Sequence, residues 1–252
     1  MTDQGVFADS GIRLARHKGP SALRDLQVVI DAFFPGPESG FMEMEIGAYR
    51  ALVLEAQDAL NREDFVRRIC RECLEDIVEA LGEERFYIQT NLYLRAARPE
   101  SGQGREAIGW HRETFYGPNM ERSFNVWTPV RGVSERNTLR FIPGSQRIPE
   151  AEIETISRAD DVTTQGSVGN RIGFLYNPKI IVSGVDLSKE CPMIVPSGNS
   201  AIFPGVLVHG SGRNLDDRIR FSVDFRILPE SARDHTSKSY HLASGKPYFE
   251  LF

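Results

Sequence analysis

His111 and Glu113 stand two residues apart in GWHRETFYG, residues 109–117. In an extended strand, residues i and i+2 project to the same side. An imidazole and a carboxylate would then stand side by side. Two histidines and one carboxylate make the facial triad of non-haem Fe(II) oxygenases, which keeps positions open for cosubstrate and O2. The third ligand has to come from elsewhere. The chain has five histidines. His17 and His235 lie in polar, loop-like stretches, and His241 is in the tail SYHLASG. His209 ends the apolar run AIFPGVLV just before GSGRN, where a strand opens into a loop. Taken alone, it also reads as a surface histidine at a strand end.

A second constellation lies in DRIRFSVDFRIL. Ile219, Phe221, Val223, Phe225 and Ile227 share one face of that strand, and Arg218, Arg220, Ser222, Asp224 and Arg226 share the other. A solvated face gives this alternation too. An arginine and a serine two residues apart also suit a carboxylate, one as a guanidinium fork and one as a hydroxyl donor. The distal carboxylate of 2-oxoglutarate needs such an anchor while its keto-acid end chelates iron.

The elements that must position these groups change character along the chain. The first third reads helical. SALRDLQVVIDAFF has Ser21 as an N-cap and stops at Pro35-Gly36-Pro37, and GAYRALVLEAQDAL follows. A third helix is expected from about Asn61 to Gly82. Its apolar stripe, Phe65, Val66, Ile69, Cys70, Cys73, Leu74, Ile77, Val78 and Leu81, takes in both cysteines of the C-x-x-C. They therefore read as small core residues rather than half a zinc site or a redox pair. From about residue 85 come short β-type runs: FYIQTNLYLR, SFNVWTPV, TLRFI, IGFLY, SAIFPGVLVHG and IRFSVDFRIL. ARPESGQGREA, residues 97–107, reads as a loop beside the barrel mouth.

The expected fold is mainly β with flanking helices: a cupin-like jelly roll, the double-stranded β-helix, under an N-terminal helical layer. The 252 residues suit one domain (1–252), with helices over about 20–82, the jelly-roll core over about 85–228 and a tail at 229–252. Apolar residues are 40% and charged residues 26%, as in soluble globular proteins. The net charge of −5 argues against nucleic acid and permits a cationic small substrate. No run approaches a membrane span, and no signal-peptide apolar region opens the chain. With three cysteines and no disulfide spacing, a cytoplasmic setting is expected. The aromatic tail GKPYFELF suits core packing or a dimer contact, so the chain is expected as a monomer or homodimer.

GNSAIFPGVLVHGSGRNLDDRIRFSV resembles the C-terminal signature of the phytanoyl-CoA dioxygenase-like family of Fe(II)/2-oxoglutarate oxygenases. There the distal histidine is followed by Gly-Ser, and the 2-oxoglutarate arginine lies eleven residues on. That spacing selects Arg220 over Arg218, with Ser222 completing an R-x-S pair. VWTPVRGVSERNTLRFIPGSQ is similar to the family's central hairpin, matching at Trp127 and Pro143-Gly144-Ser145. YIQTNLYLR resembles the strand before the metal motif and puts Gln89 near the cosubstrate. The resemblance covers about residues 85–228. It departs at two points: the family's H-x-D is H-x-E here, as in clavaminate-synthase-type relatives, and Gln146 replaces the histidine of P-G-S-H.

The resemblance implies iron held by His111, Glu113 and His209 and 2-oxoglutarate held by Arg220 and Ser222, with Gln89 and Asn125 as further cosubstrate contacts. O2 is the oxidant, and 2-oxoglutarate is decarboxylated to succinate. Related halogenases lack the carboxylate, so Glu113 argues for oxygenation. Tyr87, Asn91, Tyr93, Arg112, Phe115 and Tyr116 suggest a polar and aromatic substrate site. That suits a small sugar or aminoglycoside, as for tailoring relatives of carbohydrate and antibiotic pathways, one of which closes an orthoester. Hydroxylation, ring closure and desaturation remain open. Two rival functions also stay open: a cupin-like metalloenzyme without 2-oxoglutarate, and a non-catalytic jelly roll that binds carbohydrate.

Overall fold

Period-two alternation is used on both faces of a seven-stranded antiparallel sheet in the computed structural model. The structure describes residues 9–99, 109–116, 120–157, 179–235 and 247–252. Most of the expected loop at 97–107, the IGFLY run and His241 lie outside these. The helices are α1 (Ser21–Phe33), α2 (Ser39–Met42), α3 (Ile46–Leu60), α4 (Phe65–Glu72) and α5 (Leu74–Leu81). The strands are β1 (Arg13–Arg16), β2 (Phe86–Gln89), β3 (Tyr93–Ala97), β4 (Phe124–Arg131), β5 (Leu139–Phe141), β6 (Glu154–Ser157), β7 (Lys179–Ser183), β8 (Cys191–Pro192), β9 (Asn199–Pro204), β10 (His209–Ser211), β11 (Arg220–Pro229) and β12 (Phe249–Leu251).

The large sheet runs β1-β9-β4-β11-β2-β12, with β3 also paired to β11. Its outer face carries the apolar alternate residues: Phe221, Val223, Phe225 and Ile227 of β11, Val126 of β4, Ile202 of β9 and Leu94 of β3. The helices cover that face with Leu26, Ile30, Tyr49 and Val53, and Phe34 sets its edge on Phe221 at 4.9 Å. Burying each such side chain stabilises by about 1.5–3 kcal/mol, so the amphipathic helices have a reason to lie here. The inner face meets a second sheet, β10-β5-β8, through Trp127, Ala201, Phe203, Phe141, Met193 and Leu207. The hairpin β6-β7 adds a third cluster of Phe115, Ile142, Ile153, Ile181 and Val208. This is the jelly-roll double-stranded β-helix with helices outside.

Local structure corrects several expectations. The helix from Asn61 to Gly82 is two helices broken at Cys73, whose φ of −114° and ψ of 16° interrupt the ladder. Gly82 does end it, in a left-handed conformation (φ 69°) that only glycine adopts freely. Asn61 caps no N-terminus; its side chain bonds both the N–H and the carbonyl of Leu92. Ser21 is not the cap of α1 either: Glu72 accepts from the Ala22 N–H and the Ser21 hydroxyl. Cys70 and Cys73 are buried free thiols, and burial pushes the Cys73 thiol up to about 12. Such groups are inert packing. His17 does lie in the loop after β1, but its side chain is buried. In the tail, β12 extends the sheet beside β2, and Phe252 stacks on Phe86 at 4.8 Å. Among the described residues, no helix is long and apolar enough to cross a membrane.

Candidate metal centre

His111 does not sit in a regular strand. It forms a single antiparallel bridge with His209: each N–H donates to the other's carbonyl, at 2.9 and 3.1 Å. Arg112 is extended (φ −119°, ψ 157°), and Glu113 then begins a 3-10 turn, Glu113–Phe115. The Glu113 N–H donates to the Gly205 carbonyl at 2.8 Å. His209 opens β10 rather than ending β9, because the chain turns at Pro204–Leu207 between them. Bridge and turn together bring the three side chains to one place. Gly205 makes the room: a Cβ there would lie 3.1 Å from Cβ and Cγ of Glu113 and 2.6 Å from Oγ of Ser123.

One ligand atom from each of His111, Glu113 and His209 lies within 4.8 Å of the others, and all three residues are buried. Each histidine spends Nδ1 on a carbonyl two residues before it: Gly109 at 2.8 Å for His111, Leu207 at 2.9 Å for His209. A carbonyl can only accept, so Nδ1 carries the proton and Nε2 presents its lone pair. His209 Nε2 lies 3.8 Å from Glu113 Oε1. Burial drives the His111 imidazole down to about 3, helped by His209 and opposed by Glu113. His209 is lowered too, again mainly by burial. Burial alone would raise the Glu113 carboxyl, but Arg226 overrides it and, with the histidines, holds it near 2. The set is two neutral imidazoles and one carboxylate, the donor set a divalent cation takes without displacing a proton.

Sequence reasoning did not single out Arg226. Its Nε and Nη2 donate to Oε2 and Oε1 of Glu113, both at 3.0 Å, and its Nη1 donates to Asp224 at 2.9 Å. Arg95 grips the same aspartate from β3, its Nε bond being 2.6 Å long. The clue was the alternation that grouped Arg226 and Asp224 with Arg220. That polar face is not solvated: every residue of β11 is buried, and its even-numbered positions line the barrel interior.

Arg220 and Ser222 lie on this inner face, and Arg220 Nη1 donates to the Asn137 carbonyl at 2.7 Å. Arg220 Nε, Ser222 Oγ, Asn125 Nδ2 and Trp127 Nε1 are buried without a hydrogen-bond partner among the described residues. Asn125 and Trp127 pair in register with Arg226 and Asp224, so the four come from adjacent strands. An unmet buried donor costs about 1–3 kcal/mol, and four together rival a protein's whole net stability. A polar, anionic occupant with acceptors along its length removes that cost. Burial lowers the Arg220 guanidinium to about 10, so it stays charged at neutral pH.

The other expected site residues divide. Tyr93 faces the centre, its ring under the guanidinium groups of Arg95 (5.1 Å) and Arg226 (5.4 Å). Tyr116 sets its ring against His111 at 5.4 Å; burial raises its phenol, and Glu113 raises it further. Gln89 is buried, but its Oε1 accepts the Arg226 backbone N–H (3.0 Å) and its Nε2 reaches Tyr248 (3.3 Å). It braces Arg226 instead of presenting a free amide. Asn91 lies in the half-buried bend before β3. Tyr87 pairs in register with Leu228 and packs in a separate cluster with Leu228, Ala232 and Phe249. Phe115 belongs to the cluster under β6-β7. Arg112 points away, as its position between two inward residues requires, and donates to the carbonyls of Ser145 and Ile148. Gln146, where the resemblance has a histidine, donates to the Asp9 carbonyl at 3.0 Å.

Residues 21–222 match the family model described as phytanoyl-CoA dioxygenase (PhyH). No curated protein matches the chain. Among solved structures, EvdO2 from Micromonospora carbonacea var. aurantiaca, complexed with 2-oxoglutarate, is 17% identical with a TM-score of 0.57, covering 90% of this chain and 89% of that one. The epimerase SnoN, in complex with Fe3+, alpha ketoglutarate and nogalamycin RO, is 14% identical with a TM-score of 0.54, covering 89% and 81%. At such identities the likeness speaks for the fold.

Proposed function

Because this chain belongs to the phytanoyl-CoA dioxygenase family, and so is an Fe(II)/2-oxoglutarate-dependent oxygenase, we propose that His111, Glu113 and His209 hold its iron and that Arg220 anchors its 2-oxoglutarate. The observation that carries this reading is a pairing. Three ligand atoms lie within 4.8 Å of one another, and the same interior holds a row of unmet donors. A cupin-like enzyme that does without 2-oxoglutarate has no use for that row.

When bound, iron and 2-oxoglutarate supply O2 activation coupled to loss of CO2, and with it the removal of a substrate hydrogen. This chain's residues prepare that step. The Nδ1 bonds to Gly109 and Leu207 fix both imidazoles as neutral donors. Glu113, held ionised by Arg226, brings one negative charge to the metal. Arg220, whose Nη1 is spent on Asn137, and Ser222 would hold the distal carboxylate, and Trp127 Nε1 and Asn125 Nδ2 would be further donors to the cosubstrate. Tyr93 and Tyr116 wall the centre, and the phenol of Tyr116 stays protonated.

The substrate is read as a polar, hydroxyl-rich small molecule, a sugar or aminoglycoside-like natural product. The reaction is hydroxylation or an oxidative ring closure such as orthoester formation. Phenols and charged groups near the centre, rather than an apolar slot, support this over an acyl chain. The retained carboxylate Glu113 supports oxygenation over halogenation. SnoN, of like fold, is a protein of nogalamycin biosynthesis.

The test is anaerobic addition of Fe(II) and then 2-oxoglutarate, watched for the visible charge-transfer band of the chelate. A band lost in Arg220→Leu is the expected result. Iron binding with no band on adding 2-oxoglutarate would sink the cosubstrate assignment, and no iron binding would sink the triad. Succinate release across a panel of sugars and aminoglycosides then finds the substrate class.

A further inference from the structure

Arg226 touches the candidate metal carboxylate, yet the chemistry above uses it only as a charge. Its geometry asks for more. Nε and Nη2 take one carboxylate oxygen each, at 3.0 Å, so the guanidinium meets Glu113 as a planar two-point fork. The fork is itself fixed from three sides. Nη1 is tied to Asp224 (2.9 Å), Asp224 is gripped by Arg95, and the Arg226 backbone N–H is bonded to Gln89 Oε1 (3.0 Å). The Tyr93 ring closes the remaining face at 5.4 Å.

A glutamate has one more rotatable bond than an aspartate, so its carboxylate needs more holding. The fork removes that freedom before any cation arrives. It leaves the Oε1 edge, 3.8 Å from His209 Nε2, turned toward the two imidazoles. On the backbone side the missing Cβ of Gly205 leaves room for Cβ and Cγ of Glu113, two atoms that an aspartate would also have. The length is set by the fork, which meets a carboxylate one bond further from the backbone than an aspartate's would be.

On the reading that the triad binds a divalent metal, we propose that Arg226 is a positioning residue that presents Glu113 to the metal, and that an acid one methylene shorter would not serve in its place. A positive charge beside a cation also repels it. Fork and charge therefore predict opposite signs for removing Arg226, and the measured sign decides between them.

The test is Mn(II) binding to the intact protein, followed by electron paramagnetic resonance without O2 or 2-oxoglutarate, together with the visible spectrum of the Co(II)-loaded protein. Arg226→Lys keeps the charge and loses the fork; Glu113→Asp keeps the acid and loses the reach. Arg226→Lys is expected to weaken Mn(II) binding by about 10- to 100-fold, the usual effect of losing an outer partner of a metal ligand, and Glu113→Asp, which changes the ligand itself, by at least as much. Each is also expected to alter the Co(II) spectrum of folded protein, which a purely structural role would leave unchanged. Unchanged affinity and spectrum in both variants would overturn the proposal. So would tighter binding in Arg226→Met, which loses the charge as well and would make Arg226 a competitor of the metal. Arg226→Met tests charge and fork together; if it does not fold, the other two variants still decide. Failure of the wild-type protein to bind Mn(II) would overturn the metal reading itself and this proposal with it.

Discussion

His17 and His209 are both buried beside a glutamate, and they are built differently. His17 uses both ring nitrogens: Nδ1 meets Glu72 at 2.8 Å and Nε2 meets Ser200 at 2.8 Å. Ser200 continues to Thr128 at 2.7 Å, and Glu72 also caps α1. That cluster ties the helical layer to the outer face of the sheet and keeps no donor or acceptor in reserve on the ring. His209 and His111 each spend Nδ1 on a nearby carbonyl and keep Nε2 toward a carboxylate. Burial and residue type are alike in the two places. What separates a strut from a ligand is the unspent lone pair.

That contrast breaks most sharply at the inner cluster. His209→Ala or Glu113→Ala is expected to cut 2-oxoglutarate turnover by roughly a thousandfold or more, equal to about 4 kcal/mol of barrier, while circular dichroism shows the fold kept. Turnover within tenfold of wild type would remove both from the metal centre. Next in size, Arg220→Leu is expected to raise the KM for 2-oxoglutarate by about 10- to 100-fold, since a charged hydrogen bond contributes about 1.5–3 kcal/mol. An unchanged KM would move the anchor elsewhere.

At the outer cluster the expectation reverses. His17→Ala strands one oxygen of Glu72 and takes one of two partners from Ser200, and is expected to cost about 1–3 kcal/mol of stability, read as a lower Tm, with turnover per folded molecule unchanged. Lost turnover at an unchanged Tm would abolish the distinction between the two clusters.

The last expected effect is in pH: it is smallest near neutrality and grows as the pH falls. His111 is held near 3 when folded, against about 6.5 unfolded. Between those values the unfolded chain binds the extra proton, so stability falls as pH falls. Glu113, near 2 folded against an ordinary 4.5, adds its own loss in the more acidic part of the range. The Tm of metal-free protein is therefore expected to decline below about pH 6.5, and to decline less in His111→Gln. Equal slopes would show that His111 titrates normally.

Much of this was legible in one dimension. The alternation in DRIRFSVDFRIL gave both faces of β11, and the cysteine stripe identified core thiols. The spacing of Arg220 from His209, read through the family resemblance, singled out Arg220 over Arg218, but it did not show that His209 opens β10 of one sheet and Arg220 opens β11 of the other. Other features were not legible. The polar residues of β11 alternate as they would facing water, because period two says nothing of what a face meets. The break at Cys73 leaves the helical stripe intact in sequence. Arg112 was grouped with the substrate residues, although its place between His111 and Glu113 already pointed it outward.

The sequence by itself determined the donor types, their order and the apolar pattern that forces the helices onto one face of a sheet, because these follow from residue chemistry and local periodicity. Only the tertiary structure decided that a one-residue bridge and a 3-10 turn present the H-x-E, that Arg226 forks the glutamate and that Gly205 clears space for it. Those are contacts between residues about a hundred positions apart, and no local rule of spacing can fix a distance that the closing of the barrel sets.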